Sequence, residues 1–356
     1  MTAATDAPGA HNAITDVPGV RLGHHHRVTD DALGTGWATG TTVVDLPGSA
    51  TAAVDVRGGG PGTRETDLLD PSHTVQKVDA IVLTGGSAFG LAAADGVMTA
   101  LADAGRGIPM GGPDKTVPIV PAAVIFDLPM GAWHNRPDAD FGARALAAAT
   151  GGAVAQGSVG AGAGARAGAL KGGVGTASVV LGDGPGAGYT VGALVVANPV
   201  GAVIDPRTGL PWGASAELAG EFGLEAPDAD RIAALASLEA KSAVLNTTIG
   251  VVATDAPLSA AACRRLAVAG HDGLARAIRP AHSPLDGDTL FAVATGDGPV
   301  DRSEGVPAAM PAELPLLAAL SGPAADCVER AIVRAVLAAE TVSGVPAYRD
   351  VLAGNR

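Results

Sequence analysis

Apolar runs and helical patterns alternate along the chain and predict a fold that mixes strands and helices. Short apolar runs bounded by glycine or polar residues predict strands at the start of 52–69 and of 79–105, and at 122–128, 177–182, 190–205, 249–253 and 288–297. Apolar residues at helical spacing predict helices in the rest of 79–105 and at 137–150, 227–242, 257–278 and 327–340, with Asp138 or Asp140 as a cap of the 137–150 helix. The glycine-rich segment 151–176 is expected to be irregular, and residues 1–12 are expected to form a flexible tail.

The order of these elements favours one fold class. Strands and helices do not alternate regularly, and no internal repeat stands out. This order favours an α+β fold or a layered sandwich over a doubly wound parallel sheet. At 356 residues the chain is long enough for one large domain or two ordinary ones. Hydrophobic residues make up 47% but aromatic residues only 3%, so Ala, Val, Leu and Ile must build the core.

Charge, cysteine content and the length of the apolar runs argue against several classes of protein. The formal net charge of −13 disfavours nucleic acid or an anionic membrane as a partner. The N-terminus lacks a signal-peptide pattern, and no apolar run reaches the length of a membrane span, so a soluble cytoplasmic protein is expected. Cys263 and Cys327 fit neither a disulfide framework nor a zinc site, and both are predicted to be buried free thiols.

The glycine-rich stretch "LTGGSAFG" follows a predicted strand and precedes a helix. It lacks the Lys-Ser/Thr of a phosphate-binding loop, and it matches neither the dinucleotide-binding pattern nor the complete G-x-S-x-G motif. Two interpretations stay open. Gly86 and Ser87 either form a tight strand-to-helix turn or line an active site with their backbone N–H groups.

A cluster of polar residues in "HSPLDGDTLFAV" leads into the predicted strand at 288–297. Asp286 and Asp288 could form an ordinary turn and cap, or an acidic pair whose close carboxylates drive their pKa values apart. His282 together with these aspartates could in principle hold a metal, but the sequence offers no other convincing ligand cluster. No metal or organic cofactor is expected.

The stretch "LNTTIG" places a carboxamide and two hydroxyls immediately before a predicted core strand. It reads as a turn, or as a site of self-cleavage. A hydroxyl can attack the carbonyl that precedes it, and hydrolysis of the resulting ester frees an N-terminal threonine. Its α-amine, with an ordinary pKa near ~8, can then act as the base for its own hydroxyl.

These motifs, in this order, resemble the DmpA/nylon-oligomer-hydrolase family of N-terminal nucleophile hydrolases. The likeness includes "AVDVRGGGPGTRETDLL", "IVLTGGSAFGLAAADGV", "VVANPVGAVID", "LNTTIGVVATDAPLS" and "HSPLDGDTLFAVATGD". The resemblance implies a four-layer αββα sandwich of the DmpA/ornithine-acetyltransferase type, formed as a single domain by residues 13–356. It implies self-cleavage between Asn246 and Thr247 into chains 1–246 and 247–356. It also implies a homo-oligomer, with a tetramer of processed units as the expected form.

The resemblance also assigns roles to individual residues. Thr247 matches the nucleophile, and Asn198 matches an asparagine whose amide helps to hold the oxyanion. Lys171 matches a lysine that stabilises negative charge or orients the amine, and Thr248 is expected to hydrogen-bond the nucleophile. Asp286 and Asp288 match an acidic pair that orients the amine and passes protons.

One departure bears on the substrate. Phe126 stands where the family has a tyrosine, so a phenol that could bind substrate or the oxyanion is missing. Phe126, Gly86 and Ser87 are the expected substrate-binding residues. The expected activity is hydrolysis of amide bonds in short peptides, β-peptides or 6-aminohexanoate oligomers. The alternatives are an acyltransferase of the ornithine-acetyltransferase type and a non-catalytic homologue that binds a small molecule.

Overall fold

The computed structural model describes residues 5–29, 31–112, 115–238, 246–300 and 306–352. Its strands are β1 Arg21–Val28, β2 Ala38–Val56, β3 Thr63–Arg64, β4 Lys77–Thr84, β5 Ile108–Pro109, β6 Thr116–Val117, β7 Ala122–Val124, β8 Arg166–Ala167, β9 Leu170–Lys171, β10 Gly173–Val180, β11 Thr190–Ala197, β12 Ile249–Thr254 and β13 Thr289–Ala294. Its α-helices are α1 Ala93–Asp103, α2 Ala139–Ala147, α3 Ala229–Ser237, α4 Ala260–Ala277, α5 Leu314–Leu337 and α6 Tyr348–Val351. Short 3₁₀ turns include Ser87–Ala92, which leads into α1.

The long strand β2 joins the two halves of a nine-stranded sheet. Hydrogen bonding runs in the order β10-β11-β12-β13-β2-β4-β7-β3, and β1 also pairs with β2. The first part of β2 pairs with β1 and β4, and its last part pairs with β13, with a register irregularity between Asp45 and Ala50. The pairs β12–β13 and β4–β7 are parallel, and the other pairs are antiparallel. The sheet is therefore mixed.

Three apolar cores separate four layers of secondary structure. One core packs α4 and α5 against β10–β13, a second lies between the two halves of the sheet, and a third packs α1 and α2 against β2 and β4. Neighbouring residues in a strand serve different cores: Val252 faces the helices, and Val251 faces the opposite half of the sheet. This αββα order confirms the predicted fold class.

Several sequence predictions need correction in detail. Residues 151–176 are not uniformly irregular, because β8, β9 and the start of β10 lie within them. The flexible tail does not extend over all of 1–12. Ala7 exchanges two backbone hydrogen bonds with Val180, and the Asn12 side chain contacts Arg330 and the Ser178 N–H. Of the helix expected at 227–242, the structure describes Ala229–Ser237, and residues 239–245 lie outside the described residues.

Other local predictions are confirmed. Asp138 caps α2 by accepting a hydrogen bond from the Phe141 N–H at 3.2 Å. Cys263 and Cys327 are buried free thiols. Within the described residues, no helix is long and apolar enough to cross a membrane.

Small residues let the long helices α4 and α5 approach each other closely. A Cβ atom added to Gly273 of α4 would lie 1.9 Å from the carbonyl oxygen of Ala325 in α5. Gly322 of α5 is exposed, and a Cβ atom there would meet nothing within 4 Å. One glycine is therefore needed for packing and the other is not.

We expect these two glycines to differ clearly in their response to the same substitution. Gly273→Ala should lower the free energy of unfolding by about 1–3 kcal/mol, because the new methyl group overlaps the α5 backbone. Gly322→Ala should change it by less than about 0.5 kcal/mol, because the preference of alanine for a helix is opposed by the contact of its Cβ atom with the ring of Pro323, the next residue of α5. Urea unfolding of both variants tests this, and equal effects would contradict the packing argument.

Candidate active site

The peptide group between Asn246 and Thr247 is held at both ends just before β12. The Gly287 N–H donates to the Asn246 carbonyl oxygen at 3.0 Å, and the Thr247 N–H donates to the Asn198 carbonyl oxygen at 3.0 Å. The Asn246 N–H in turn donates to the Leu285 carbonyl oxygen at 3.0 Å. Asn198 follows β11, and Leu285 and Gly287 precede β13. The residues next to β11 and β13, the two strands that flank β12, thus supply the backbone groups that fix this peptide.

The Thr247 side chain is buried against the carbonyl that precedes it. Its Oγ1 donates a hydrogen bond to the Asn246 carbonyl oxygen, the same atom that accepts from Gly287. Gly287 leaves the space this hydroxyl needs, since a Cβ atom there would lie 2.8 Å from Thr247 Oγ1 and 2.8 Å from the Gly60 carbonyl oxygen. The hydroxyl and its neighbouring carbonyl are therefore confined together.

The backbone N–H of Thr248 binds the side-chain carboxylate of Asp288. The Thr248 N–H donates to Asp288 Oδ1 at 2.9 Å. The second oxygen of Asp288, Oδ2, accepts from the His282 N–H at 3.0 Å and from His282 Nδ1 at 2.9 Å. The Thr248 backbone is therefore bound to Asp288. The hydrogen bond from Thr248 to the nucleophile stays a prediction.

Asp286 has different partners from Asp288, although both carboxylates are almost fully buried. Asp286 Oδ1 accepts from the Val200 N–H at 3.1 Å, and Oδ2 accepts from the Ser283 N–H at 3.3 Å. Burial raises the pKa of Asp286 above its ordinary value, and the neighbouring charge of Asp288 raises it further, while these N–H donors act in the opposite direction. Burial thus favours the protonated form of Asp286.

Asn198 links the candidate site to Phe126. Its backbone carbonyl accepts from Thr247, its Oδ1 accepts from the Arg166 N–H at 2.9 Å, and its Nδ2 donates to the Phe126 carbonyl oxygen at 3.3 Å. Phe126 reaches this network through its backbone, and its ring is partly buried. Asn198 Nδ2 therefore contacts a carbonyl of the protein itself.

Gly86 and Ser87 form a tight turn whose N–H groups bond within the protein. The Gly86 N–H donates to Asp127 Oδ1 at 2.6 Å, and the Ser87 N–H donates to the Ile125 carbonyl oxygen at 3.0 Å. Both residues have left-handed backbone conformations, with φ of 83° and 54°. These contacts match the turn interpretation, while the expectation that the two residues bind substrate stays a prediction.

Lys171 is fully buried and supports the segment beside Asn198. Its Nζ donates to the carbonyl oxygens of Gly162 and Ala165, both at 2.9 Å, and of Gly172 at 3.2 Å. Burial lowers its pKa to about 7; the charge of Asp127 acts to raise it and that of Arg166 to lower it. The three donors of the ammonium thus bind the segment that carries Arg166, whose N–H holds Asn198. The expectation that Lys171 stabilises negative charge or orients the amine of Thr247 stays a prediction.

The predicted residues therefore fall into two groups. The first group shares direct hydrogen bonds or the loops that make them: Asn246, Thr247, Thr248, Asn198, Asp286 and Asp288, with the Phe126 carbonyl bound to Asn198. The second group, Lys171, Gly86 and Ser87, connects to the first through intermediate residues. Sequence reasoning missed the role of Gly287 and assigned His282 only to a possible metal site. Among the described residues, no three His, Cys, Asp or Glu side chains are grouped as metal ligands. The glycine between Asp286 and Asp288 could have indicated the close contact at Thr247, because a glycine leaves room for a neighbouring side chain.

Comparisons with known proteins agree with this fold. The model of peptidase family S58 matches residues 12–349. A Mycobacterium tuberculosis protein named as an uncharacterized aminopeptidase is 59% identical over 348 residues, which cover 96% of this chain and 98% of that protein. A 6-aminohexanoate-oligomer endohydrolase of Kocuria sp. is 33% identical over 285 residues, with coverage of 79% and 74%. The solved structure of a Burkholderia sp. β-aminopeptidase superposes with a TM-score of 0.71 at 28% identity, covering 98% of this chain and 94% of the other.

The fold and these relatives define an enzyme that hydrolyses peptide or amide bonds. The chain belongs to peptidase family S58, which its model matches over nearly the whole length. The predicted resemblance to this family is thereby confirmed.

The space at Gly287 gives a direct test of the site. Gly287→Ala should lower the rate of amide hydrolysis by about 100-fold or more, because the methyl group displaces Thr247 Oγ1 or the loop at Gly60. Gly48→Ala is the matched control, since a Cβ atom there meets nothing within 4 Å. Hydrolysis of a short peptide amide measures both, and a fully active Gly287→Ala enzyme would show that this contact does not matter.

The buried Lys171 makes stability depend on pH. Its pKa of about 7 in the folded protein lies below the ordinary value near ~10.4, so the unfolded state binds more protons between these limits. The stability of the Lys171 protein relative to Lys171→Met should therefore rise with pH above 7, by about 1 kcal/mol per pH unit. Urea unfolding at pH 7, 8 and 9 measures the difference in stability between the Lys171 protein and Lys171→Met. Both proteins also carry Thr247→Ala. A difference independent of pH would exclude the lowered pKa.

Proposed function

We propose that the chain is an amidohydrolase that activates itself by cleavage between Asn246 and Thr247. The contact that carries this proposal is the hydrogen bond of Thr247 Oγ1 to the Asn246 carbonyl oxygen, in a peptide group fixed by Gly287 and Asn198. A hydroxyl confined beside a carbonyl carbon is positioned for an intramolecular attack. The Gly287 N–H, already directed at the carbonyl oxygen, would stabilise the negative charge that develops there.

The proposed cleavage proceeds through an ester. Thr247 Oγ1 attacks the Asn246 carbonyl carbon and loses its proton. The C–N bond breaks, and the Thr247 nitrogen takes up a proton to become an amine. Water then hydrolyses the ester, which gives a carboxylate on Asn246 and a free N-terminal Thr247. The acidic pair lies within the loops that hold this peptide, so Asp286, whose pKa burial raises, is suited to exchange protons there.

The freed Thr247 would then hydrolyse substrate amides. Its α-amine, with an ordinary pKa near ~8, takes the proton of its own hydroxyl as Oγ1 attacks the substrate carbonyl. The amine passes this proton to the departing amine of the substrate, and water hydrolyses the acyl ester. The Asn198 carbonyl, which accepts from the Thr247 N–H before cleavage, is placed to accept from the new amine.

The proposed substrates are small linear amides: short peptides with a free amine, β-peptides and 6-aminohexanoate oligomers. Support comes from relatives named as an aminopeptidase, a β-aminopeptidase and a 6-aminohexanoate-oligomer endohydrolase. We further propose that the enzyme works in the cytoplasm as a homo-oligomer of processed units.

The sheet explains how the two products would remain one enzyme. β12, which would begin the smaller chain, hydrogen-bonds to β11 of the larger chain on one side and to β13 on the other. β13 in turn pairs with β2, which again belongs to the larger chain. Cleavage would therefore leave the packing and hydrogen bonding of both products in place.

Intact-mass spectrometry under denaturing conditions tests self-cleavage. We expect wild type to give two masses that sum to the 34.6-kDa chain plus one water, with the smaller fragment beginning Thr-Thr-Ile-Gly. Thr247→Ala should remain one uncut chain and lose hydrolysis of every amide in a substrate panel. Thr247→Ser, which keeps a hydroxyl, should still cleave itself.

Two results would contradict the proposal. One is a wild-type chain that stays uncut on long incubation while it hydrolyses amides. The other is a Thr247→Ala variant that keeps wild-type hydrolysis. A thermal unfolding transition of Thr247→Ala close to that of wild type excludes misfolding as the reason for lost activity.

A further inference from the structure

His282 holds one oxygen of Asp288 with two donors. Its backbone N–H and its Nδ1 both lie within 3.0 Å of Asp288 Oδ2. The other oxygen, Oδ1, accepts from the Thr248 N–H, one residue after the candidate nucleophile. A carboxylate held at both oxygens cannot rotate without breaking at least one of these bonds. The imidazole therefore contributes to the orientation of a carboxylate that contacts the backbone beside Thr247.

The His282 ring also packs against a second aromatic ring. Its centroid lies 4.8 Å from that of His271 in α4, and the rings are inclined by 71°. His271 is buried, and its Nε2 lies 3.0 Å from the Asp55 carbonyl oxygen. Burial lowers the pKa of His271 to about 4, so near neutral pH this neighbour is an uncharged ring. The His282 ring therefore contacts both Asp288 and a neutral ring.

The backbone at His282 is also unusual. Its φ of 56° lies in the left-handed region, which a histidine adopts at a cost and which glycine and asparagine adopt more readily. A residue kept in this conformation for its backbone alone could be glycine. The side chain present here instead makes a 2.9 Å hydrogen bond to Asp288.

We propose that His282 is a positioning residue for the reaction. Its imidazole orients Asp288, and through Asp288 it fixes the Thr248 N–H and the segment that carries Thr247. This inference rests on the proposed function, because it assigns His282 to the same site. Removing the imidazole leaves Asp288 Oδ2 with the His282 backbone N–H alone, so the carboxylate gains freedom to turn.

Three substitutions separate the hydrogen bond from the backbone conformation. Glycine, asparagine and aspartate all tolerate positive φ better than most residues. His282→Gly removes the side-chain donor, whereas His282→Asn places an amide nitrogen close to the position of Nδ1. His282→Asp has nearly the shape of asparagine but directs a carboxylate oxygen at Asp288. The Asn and Asp variants thus differ in the donor and hardly in size.

The experiment measures self-cleavage by intact mass, and kcat and KM of each processed variant with one short peptide amide. We expect kcat to fall by about 10–100-fold in His282→Gly, with KM changed by less than about threefold, because orientation rather than substrate binding is lost. His282→Asn should keep kcat within about fivefold of wild type. His282→Asp should be at least as impaired as His282→Gly, and slower self-cleavage should follow the same order.

Several outcomes would overturn the inference. Wild-type kcat in His282→Gly would show that the imidazole is not needed. Equal kcat in the Asn and Asp variants would show that the donor is irrelevant, and this comparison remains available if the glycine variant fails to fold. If wild type itself neither cleaves nor hydrolyses amides, the proposed function fails and this inference fails with it. If wild type is active and the variants match it, only the inference about His282 fails.

Discussion

The site depends on the register of β12 between its two neighbours. Ile249, the first residue of β12, pairs with Val196 of β11 and with Thr289 of β13. The backbone groups that hold the Asn246–Thr247 peptide lie just beyond these pairs, at Asn198 and Gly287. A slip of one residue would turn every side chain of β12 to the other face of the sheet, moving Val251 and Val252 into the wrong cores. The packing of the cores thus fixes the position of Thr247.

Buried charge is the second constraint on the site. Lys171, Asp286 and Asp288 are all nearly inaccessible to solvent, and each is compensated by backbone groups. An unpaired buried charge is strongly unfavourable, so these side chains fix the loops that supply their partners. These contacts help to hold the segment 162–172, which includes the short strands β8 and β9, and the loop 283–288.

Local patterns in the sequence were sufficient for most of the core. The apolar runs at β11, β12 and β13 and the cap at Asp138 could be identified because each signal lies within a few residues. The start of β10 was missed, because its glycines carry no apolar pattern and the strand forms through pairing with β11. The helices of the outer layers could be predicted from the spacing of their apolar residues. Their placement in two layers, one on each side of the strands, came from the family resemblance.

The candidate site was predicted in part for the same reason. The residues at 246–248, 286 and 288 stood out because polar groups interrupt apolar surroundings. Pairwise contacts did not stand out. Three such contacts are the carbonyls that bind Lys171, the packing of Thr247 against Gly287 and the hydrogen bond of His282 to Asp288. In each of them the atoms come together only when the chain folds.

If the chain cuts itself as proposed, the interleaving of its strands would change the thermodynamics of unfolding. β12 and β13 lie side by side, and β11 and β2, both N-terminal to Thr247, flank them on either side. Unfolding of the intact chain is a reaction of one molecule, whereas unfolding of the cut form separates two. The midpoint of denaturation would then depend on protein concentration, as it does for an obligate dimer. A single peptide bond would thus decide whether dilution can destabilise this fold.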